Sequence, residues 1–373
     1  MNRAENMLIE LVRQNSDTSS LALIDTVLGC TRLAHIDAMR DYPVQAVEDL
    51  NRKASASLLL VPERLGGSAA ELKTAAVLLP CLAYRSVNVA ALYMFHYQCT
   101  ARMNTCANEA LYRQQLDALV TDAGLMSSAW SEGEANPAMV HRVNNSACLY
   151  LSGDKYISTG VAESCLTHVI VRDPEYGGQS FVIVPQPAQQ QQIRLKPLSL
   201  ISFRAAQNSA IHFDNLAIDH QMFLGERGCA DILQKQNHEN GLNPGLLALG
   251  LLARFIDLLK SQFDYICKQS AYTRITAKYR QLVTSLSQAL QSGNYFSLAF
   301  GLTFKYRATA LLRDSILALS PFFGPSVLME NHPVNVVMQH GLLLQYMGPA
   351  NYQIESRLDE QLFSDCSFDV TFL

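Results

Sequence analysis

Apolar positions recur at spacings of three and four from Met1 to about Asp122. Leu8, Leu11 and Val12 begin the pattern, which continues through Leu72–Leu82 and Val87–Tyr97. That period lays an apolar stripe along a helix, so the first third of the chain is expected to be helical. Pro62-Glu63-Arg64-Leu65-Gly66-Gly67 interrupts it as a loop between helices. After Gly124 the texture changes to short runs rich in Val, Ile, Tyr and Phe: CLYL, KYIS, HVIVRD, SFVIVP, SAIHFD and MFLG. Turn residues separate these runs, which predicts antiparallel strands ending near Gly228, with Ser152-Gly153-Asp154 as a hairpin turn. The four glutamines at 189–192 read as a solvated loop between strands.

Beyond about Ala230 the helical period returns. Asn243-Pro244-Gly245 opens a long apolar helix to about Phe263, and further helices are expected over Ala277–Gln291, over Tyr295–Leu319 and after Pro333. The predicted class is therefore α+β, divided into helices at 1–122, a β domain at 123–230 and a helical bundle at 231–373. No repeat of 20–50 residues stands out.

Composition narrows the function classes. The chain has 373 residues, 49% apolar and 17% charged, with net charge −4. No overall basic field exists to hold nucleic acid or an anionic membrane. No apolar run approaches the roughly 18 residues of a membrane span; the longest, near Leu246–Ala253, is soon broken by Arg254 and Asp257. Glu5 and Glu10 inside the first apolar pattern suit an amphipathic helix and not a signal peptide. The nine cysteines form no CxxC pair, and the nine histidines no HxxxH or HExxH spacing. Buried reduced thiols in a cytoplasmic protein are expected, with no metal site.

Ser152–Gly160 reads SGDKYISTG. On a regular strand Tyr156 and Ser158 project to the same face. A ring beside a hydroxyl suits a flat ligand with a polar edge; a surface strand carrying both by chance remains the alternative. The surrounding motifs decide between them. LLLVPERLGG at 58–67, GDKYISTG at 153–160, the strand Val182–Pro185, FDNLAIDHQMFLGERG at 213–228 and QYMGPANY at 345–352 occur in this order. Together they resemble motifs of the acyl-CoA dehydrogenase family, over about residues 55–365. The resemblance implies an N-terminal helical domain, a middle β-barrel domain, a C-terminal four-helix bundle and FAD as cofactor.

By the same resemblance, Tyr156 packs beside the flavin ring and Ser158 contacts its polar edge. An isoalloxazine offers a π face to an aromatic and needs hydrogen-bond partners at its edge once water is excluded. MSSAWSEGEANP at 126–137 resembles the family's preceding motif and places Trp130 and Ser131 at flavin-contacting positions and Glu132 at the motif's glutamate, with Gly133 and Asn136 toward the pyrophosphate. QSAYT at 269–273 falls where the family has an arginine that reaches a neighbouring subunit's cofactor, so Gln269 and Tyr272 take those places; Gln345 and Gly348 belong to a segment approaching the same cofactor. A homodimer or homotetramer is thereby implied.

The catalytic base departs from the family. Its usual glutamate follows the last glycine motif, yet the chain aligns through Gln361–Asp365 and stops at Leu373, with Asp369 no convincing substitute. A minority of the family places the base on the helix after the β domain, where QNHENGLNPG offers Glu239, with His238 as an orienting or alternative base. A helix-start carboxylate is the competing account of Glu239. The resemblance thus implies dehydrogenation of an acyl or aminoacyl thioester, on coenzyme A or a phosphopantetheine carrier protein, in specialised biosynthesis. An electron-transfer flavoprotein or another acceptor would take the electrons. A flavin monooxygenase and a flavin-free scaffold on the same fold are the alternatives.

Overall fold

The computed structural model describes residues 3–16, 25–27, 29, 33–106, 112–113, 115–116, 124–132, 135–143 and 148–356. Among the described residues, helices α1 (Arg3–Asn15), α2 (Val44–Ala54), α3 (Leu72–Arg85) and α4 (Val87–Cys106) precede the strands, with a single helical turn at Leu33–Ile36. Helices α5 (Ala230–Glu239), α6 (Pro244–Gln262), α7 (Ser270–Ser292), α8 (Leu298–Leu319) and α9 (Pro333–Leu343) follow. The expected order of helices, strands and helices is present.

Helix α6 is the axis of the helical half. Asn243 caps it by accepting from the Gly245 N–H at 2.9 Å, and Pro244 occupies the first turn, where its missing N–H costs nothing. Every residue from Pro244 to Ala253 is buried. Each buried Leu or Phe side chain contributes roughly 1.5–3 kcal/mol by leaving water. Gly250 permits the tightest contact: a Cβ there would sit 2.1 Å from the Pro80 carbonyl oxygen, so α3 and α6 meet backbone to backbone. The polar residues that interrupt α6 are used at its flanks. Asp257 accepts from the Ala4 and Glu5 N–H groups and so caps α1, while Arg254 pairs with buried Asp37 at 2.7 Å. Among the described residues, Ala230–Gln262 is long and apolar enough to cross a membrane by length and composition alone, against the expectation of no such run, yet 83% of its most apolar window is buried inside the protein.

The strands among the described residues form one nine-stranded sheet. They are β1 (Leu125–Ala129), β2 (Ser131–Glu132), β3 (Met139–Arg142), β4 (Leu149–Thr159), β5 (Ser164–Asp173), β6 (Gly178–Pro185), β7 (Ile193–Pro197), β8 (Asn208–Ile218) and β9 (Phe223–Leu224). The main path runs β7-β8-β4-β3-β5-β6-β9, with β1 parallel to β5 and β2 antiparallel to β4. Ser152-Gly153-Asp154 is not the expected hairpin turn. It lies inside the continuous strand β4, where Gly153 at φ +110° forms an irregularity against the Pro137 carbonyl. A Gly-Asp pair signals a turn in sequence, but the same positive φ serves a bulge.

The seven described cysteines are free thiols, and Cys148 and Cys267 are exposed and not buried as expected. His96 joins the helical half to the sheet. Its Nε2 lies 2.7 Å from the Ser57 carbonyl, and its Nδ1 accepts from the Met126 N–H at 3.1 Å. Both contacts use the neutral ring, and burial pulls its pKa down to about 4 against the weaker opposing pull of the Ser57 carbonyl. The unfolded chain therefore binds one more proton than the folded one between pH 6.5 and 4, so stability falls as pH falls through that window. His96 alone is expected to cost on the order of 3 kcal/mol across it. Urea midpoints at pH 7 and pH 4.5 check this; an unchanged pH slope on His96→Gln would show that His96 is not the titrating group.

Candidate active site

The end of β1 gathers the polar groups of the site. Ser128 is buried, and its hydroxyl accepts from the Trp130 Nε1–H at 2.6 Å and from Arg102 Nη2 at 3.1 Å. Its carbonyl accepts from the Ser158 hydroxyl at 3.1 Å. One residue that the motif comparison passed over thus ties together Trp130, Ser158 and a cation from α4.

Arg102 is 1% exposed. It donates through Nε to His168 Nδ1 at 3.4 Å, through Nη1 to Asn237 Oδ1 at 2.5 Å, and through Nη2 to Cys99 Sγ at 3.1 Å. Trp130 and Phe181 lie against the guanidinium with ring centres 5.4 and 5.3 Å from its carbon. Helix α4, strands β1, β5 and β6, and helix α5 therefore converge on one charged group. Burial, with Arg102 and then His96 adding to it, pushes the His168 pKa well below its usual value, so this ring is neutral. The signal for Arg102 was present in the sequence: α4 is apolar on nearly every side, so a cation inside it had to be buried.

Strand β4 presents the Tyr156 region with an extra residue. Lys155 pairs with Ile211 and Ser158 with Ser209, so three steps on β4 face two on β8. This bulge breaks the regular alternation that would place Tyr156 and Ser158 on one face. Tyr156 is 64% exposed and Ser158 only 2% exposed. Ser131, an exposed residue, pairs with Ile157 across β2–β4, and Tyr156 has no partner on β2. Lys155, fully buried at the bulge, donates to the Trp130 carbonyl at 3.3 Å and lies 3.6 Å from Glu132. Burial pulls its pKa down to about 8, with Glu132 opposing.

The helix bearing the expected base arrives with a different residue foremost. His238 packs edge-on against Trp130, ring centres 6.3 Å apart. Glu239 is the last residue of α5, 38% exposed and 3.9 Å from Lys235 one turn earlier. It closes a helix and does not start one, so the helix-start account of this carboxylate fails; a carboxylate at this end gains nothing from the dipole.

Gln269, Gln345 and Gly348 lie in the helical half and not on the sheet. Gln269 is the residue before α7, and its carbonyl accepts from Thr273. Gln345 accepts from Arg313 Nη1 through its side chain, and Gly348 turns at φ +66°. Buried Lys305 holds this segment by donating to the carbonyls of Gln345 and Pro349 and to Asn351 Oδ1, at 3.2, 2.6 and 2.9 Å. Gly133, Gln361–Asp365 and Asp369 lie outside the described residues; Asn136 donates its amide to Asp154.

With this arrangement in view, the backbone can be compared with solved structures. It superposes on butyryl-CoA dehydrogenase from Megasphaera elsdenii with TM-score 0.77 at 14% identity, covering 96% of this chain and 98% of that one. The prolyl acyl carrier protein oxidase AnaB gives 0.77 at 15%, covering 93% and 99%. FMN-bound TdsC from Paenibacillus sp. A11-2 gives 0.73 at 14%, covering 97% and 98%. The chain has the acyl-CoA dehydrogenase fold over nearly its whole length. No family model matches the sequence, and no curated protein matches it.

Replacing Ser128 by alanine removes the acceptor of both the Trp130 indole and an Arg102 N–H. A loss of about 2–4 kcal/mol is expected, because a buried charged donor is left unmet. Trp130 is the single tryptophan in the chain, so its emission reports this site alone. Denaturant unfolding together with the emission maximum of Ser128→Ala checks both effects; if neither moves, Ser128 is not the junction described.

Proposed function

We propose that this protein is a flavin-dependent dehydrogenase of an acyl or aminoacyl thioester, carried on coenzyme A or, preferably, on a phosphopantetheine carrier protein. The observation that carries the reading is the junction at Ser128, which gathers Trp130, Ser158 and the start of the C-terminal helices at one end of the sheet in this fold. The three-part division at 1–122, 123–230 and 231–373 belongs to this reading, as do a cytoplasmic location and a role in specialised biosynthesis.

The residues suit a flavin on one side. Tyr156 and Ser131 are exposed residues of the β2–β4 pair, with Ser131 opposite Ile157. These would hold FAD together with Trp130, while Ser158 and Lys155 fix the Ser128 and Trp130 backbone behind them. Gln269, Gln345 and Gly348 would reach the cofactor of a neighbouring subunit, which makes the protein a homodimer or homotetramer. When bound, the flavin supplies the acceptor for the substrate's β-hydride. Glu239 takes the α-proton, and His238, held against Trp130, orients the carboxylate or substitutes for it. An electron-transfer flavoprotein or another acceptor then receives the electrons.

One observation favours a second reading. A base for an α-proton gains strength from apolar surroundings, yet Glu239 is partly exposed beside Lys235. A flavin monooxygenase needs no such base. Anaerobic flavin bleaching by pantetheine thioesters separates the two, because a monooxygenase consumes oxygen and a supplied reductant instead. Glu239→Gln is expected to slow bleaching by about 10²-fold or more, and Tyr156→Ala to lower FAD content. Bleaching at the native rate in Glu239→Gln would remove this residue as the base, and protein that stays colourless with excess FAD would leave the scaffold reading.

A further inference from the structure

The chain carries an excess of carboxylates, yet one stretch reverses the balance. Between Lys260 and Arg280 stand five cations, Lys260, Lys268, Arg274, Lys278 and Arg280, against the single carboxylate Asp264. Helix α7 contains three of them and no acid along its whole length. Lys260, Lys268, Arg274 and Lys278 are exposed and Arg280 is half-buried. Among the described residues none of the five is paired with a carboxylate. On α2 and α5, by contrast, exposed cations sit beside acids one turn away: Arg52 with Glu48, Lys53 with Asp49 and Lys235 with Glu239.

This placement works against the helix that carries it. Arg274 and Lys278 lie one turn apart on the exposed side, about 6 Å between Cβ atoms, where like charges destabilise a helix. Lys268 and Arg274 bracket the first turn of α7, the positive end of its dipole, where cations are unfavourable. Helix stability therefore does not account for these charges, whereas an incoming anionic surface gains from both arrangements. Shape and neighbours narrow the occupant. Small ligands are gathered in concave sites, and the outer face of a helix is convex. No large apolar residue is exposed on α7 to enter a bilayer. The net charge of −4 opposes a nucleic-acid backbone beyond the reach of this one face. A second copy meeting this helix across a two-fold axis would set cations against cations. An acidic protein surface meets every one of these demands.

We propose that the exposed face of α7, together with Lys268, docks an acidic protein, and that this protein is the phosphopantetheine carrier. The second half of the inference rests on the thioester reading above and chooses the carrier over coenzyme A as the bearer of the substrate. Helix α7 begins directly after Gln269, so a carrier seated here stands beside a residue which that reading assigns to a neighbouring subunit's cofactor.

The test measures, by calorimetry at low and high salt, the binding of acidic holo carrier domains, of coenzyme A and of a double-stranded DNA oligomer to FAD-loaded protein. Expected is binding of at least one carrier domain, tighter than that of coenzyme A and weakened by salt. The double variant Arg274→Glu, Lys278→Glu should weaken it by about tenfold or more, whereas Arg274→Lys with Lys278→Arg, which keeps the charges, should retain it. Both residues are exposed, so FAD content and thermal unfolding of the variants are expected to stay native. No binding of any carrier domain, binding unchanged by the charge reversal, or tighter binding of coenzyme A or of the DNA overturns the inference. Dissociation of the native oligomer by the reversal, seen by sedimentation, gives the face to a second copy and also overturns it. Reversal-sensitive carrier binding without anaerobic flavin bleaching by acylated carriers upholds the docking face and defeats the dehydrogenase reading. Bleaching by acyl-coenzyme A thioesters with no reversal-sensitive carrier binding does the opposite.

Discussion

A guanidinium taken out of water must be compensated or the protein will not hold it. Removing a charge of that size from solvent costs several kcal/mol even after relaxation. Around Arg102 the compensation comes from four neutral acceptors and two aromatic faces. Each ring contributes roughly 0.5–2 kcal/mol. Those partners belong to a helix before the sheet, three strands and a helix after it, so satisfying one charge fixes the mutual position of all of them. The site is rigid because its parts share an obligation.

Two lysines repeat the principle with backbone carbonyls. Lys155 anchors the Trp130 carbonyl from within the β4 bulge, and Lys305 anchors the turn carrying Gln345 and Gly348. Burial lowers both pKa values to about 8. An ammonium with three donors suits an irregular turn whose carbonyls have no ladder partners. Irregular backbone at both places is therefore held by charge.

Much of the architecture was legible in the chain. Asn243-Pro244-Gly245 marked the start of α6 because cap and proline chemistry is local, and the helix ends after Leu319 and before Pro333 followed the same logic. Side-chain orientation around the candidate site was not legible. Alternation assigned Tyr156 and Ser158 to one face, but a bulge is set by pairing with a strand more than fifty residues away, which no local pattern reveals. Ser128 and Arg102 were missed for a related reason: motif comparison attends to positions that touch a cofactor, whereas these act by holding other residues. Their polarity inside apolar segments was the available sign.

The bulge also explains why the strand carries both an exposed ring and a buried hydroxyl. Without an extra residue, a strand that buries Lys155 must also bury position 157 and expose 156 and 158 together. With it, Ser158 returns to the inner face beside Lys155, and each fixes a different carbonyl, those of Ser128 and Trp130. Tyr156 stays exposed. A single inserted step therefore separates the exposed ring of Tyr156 from the buried contacts of Lys155 and Ser158.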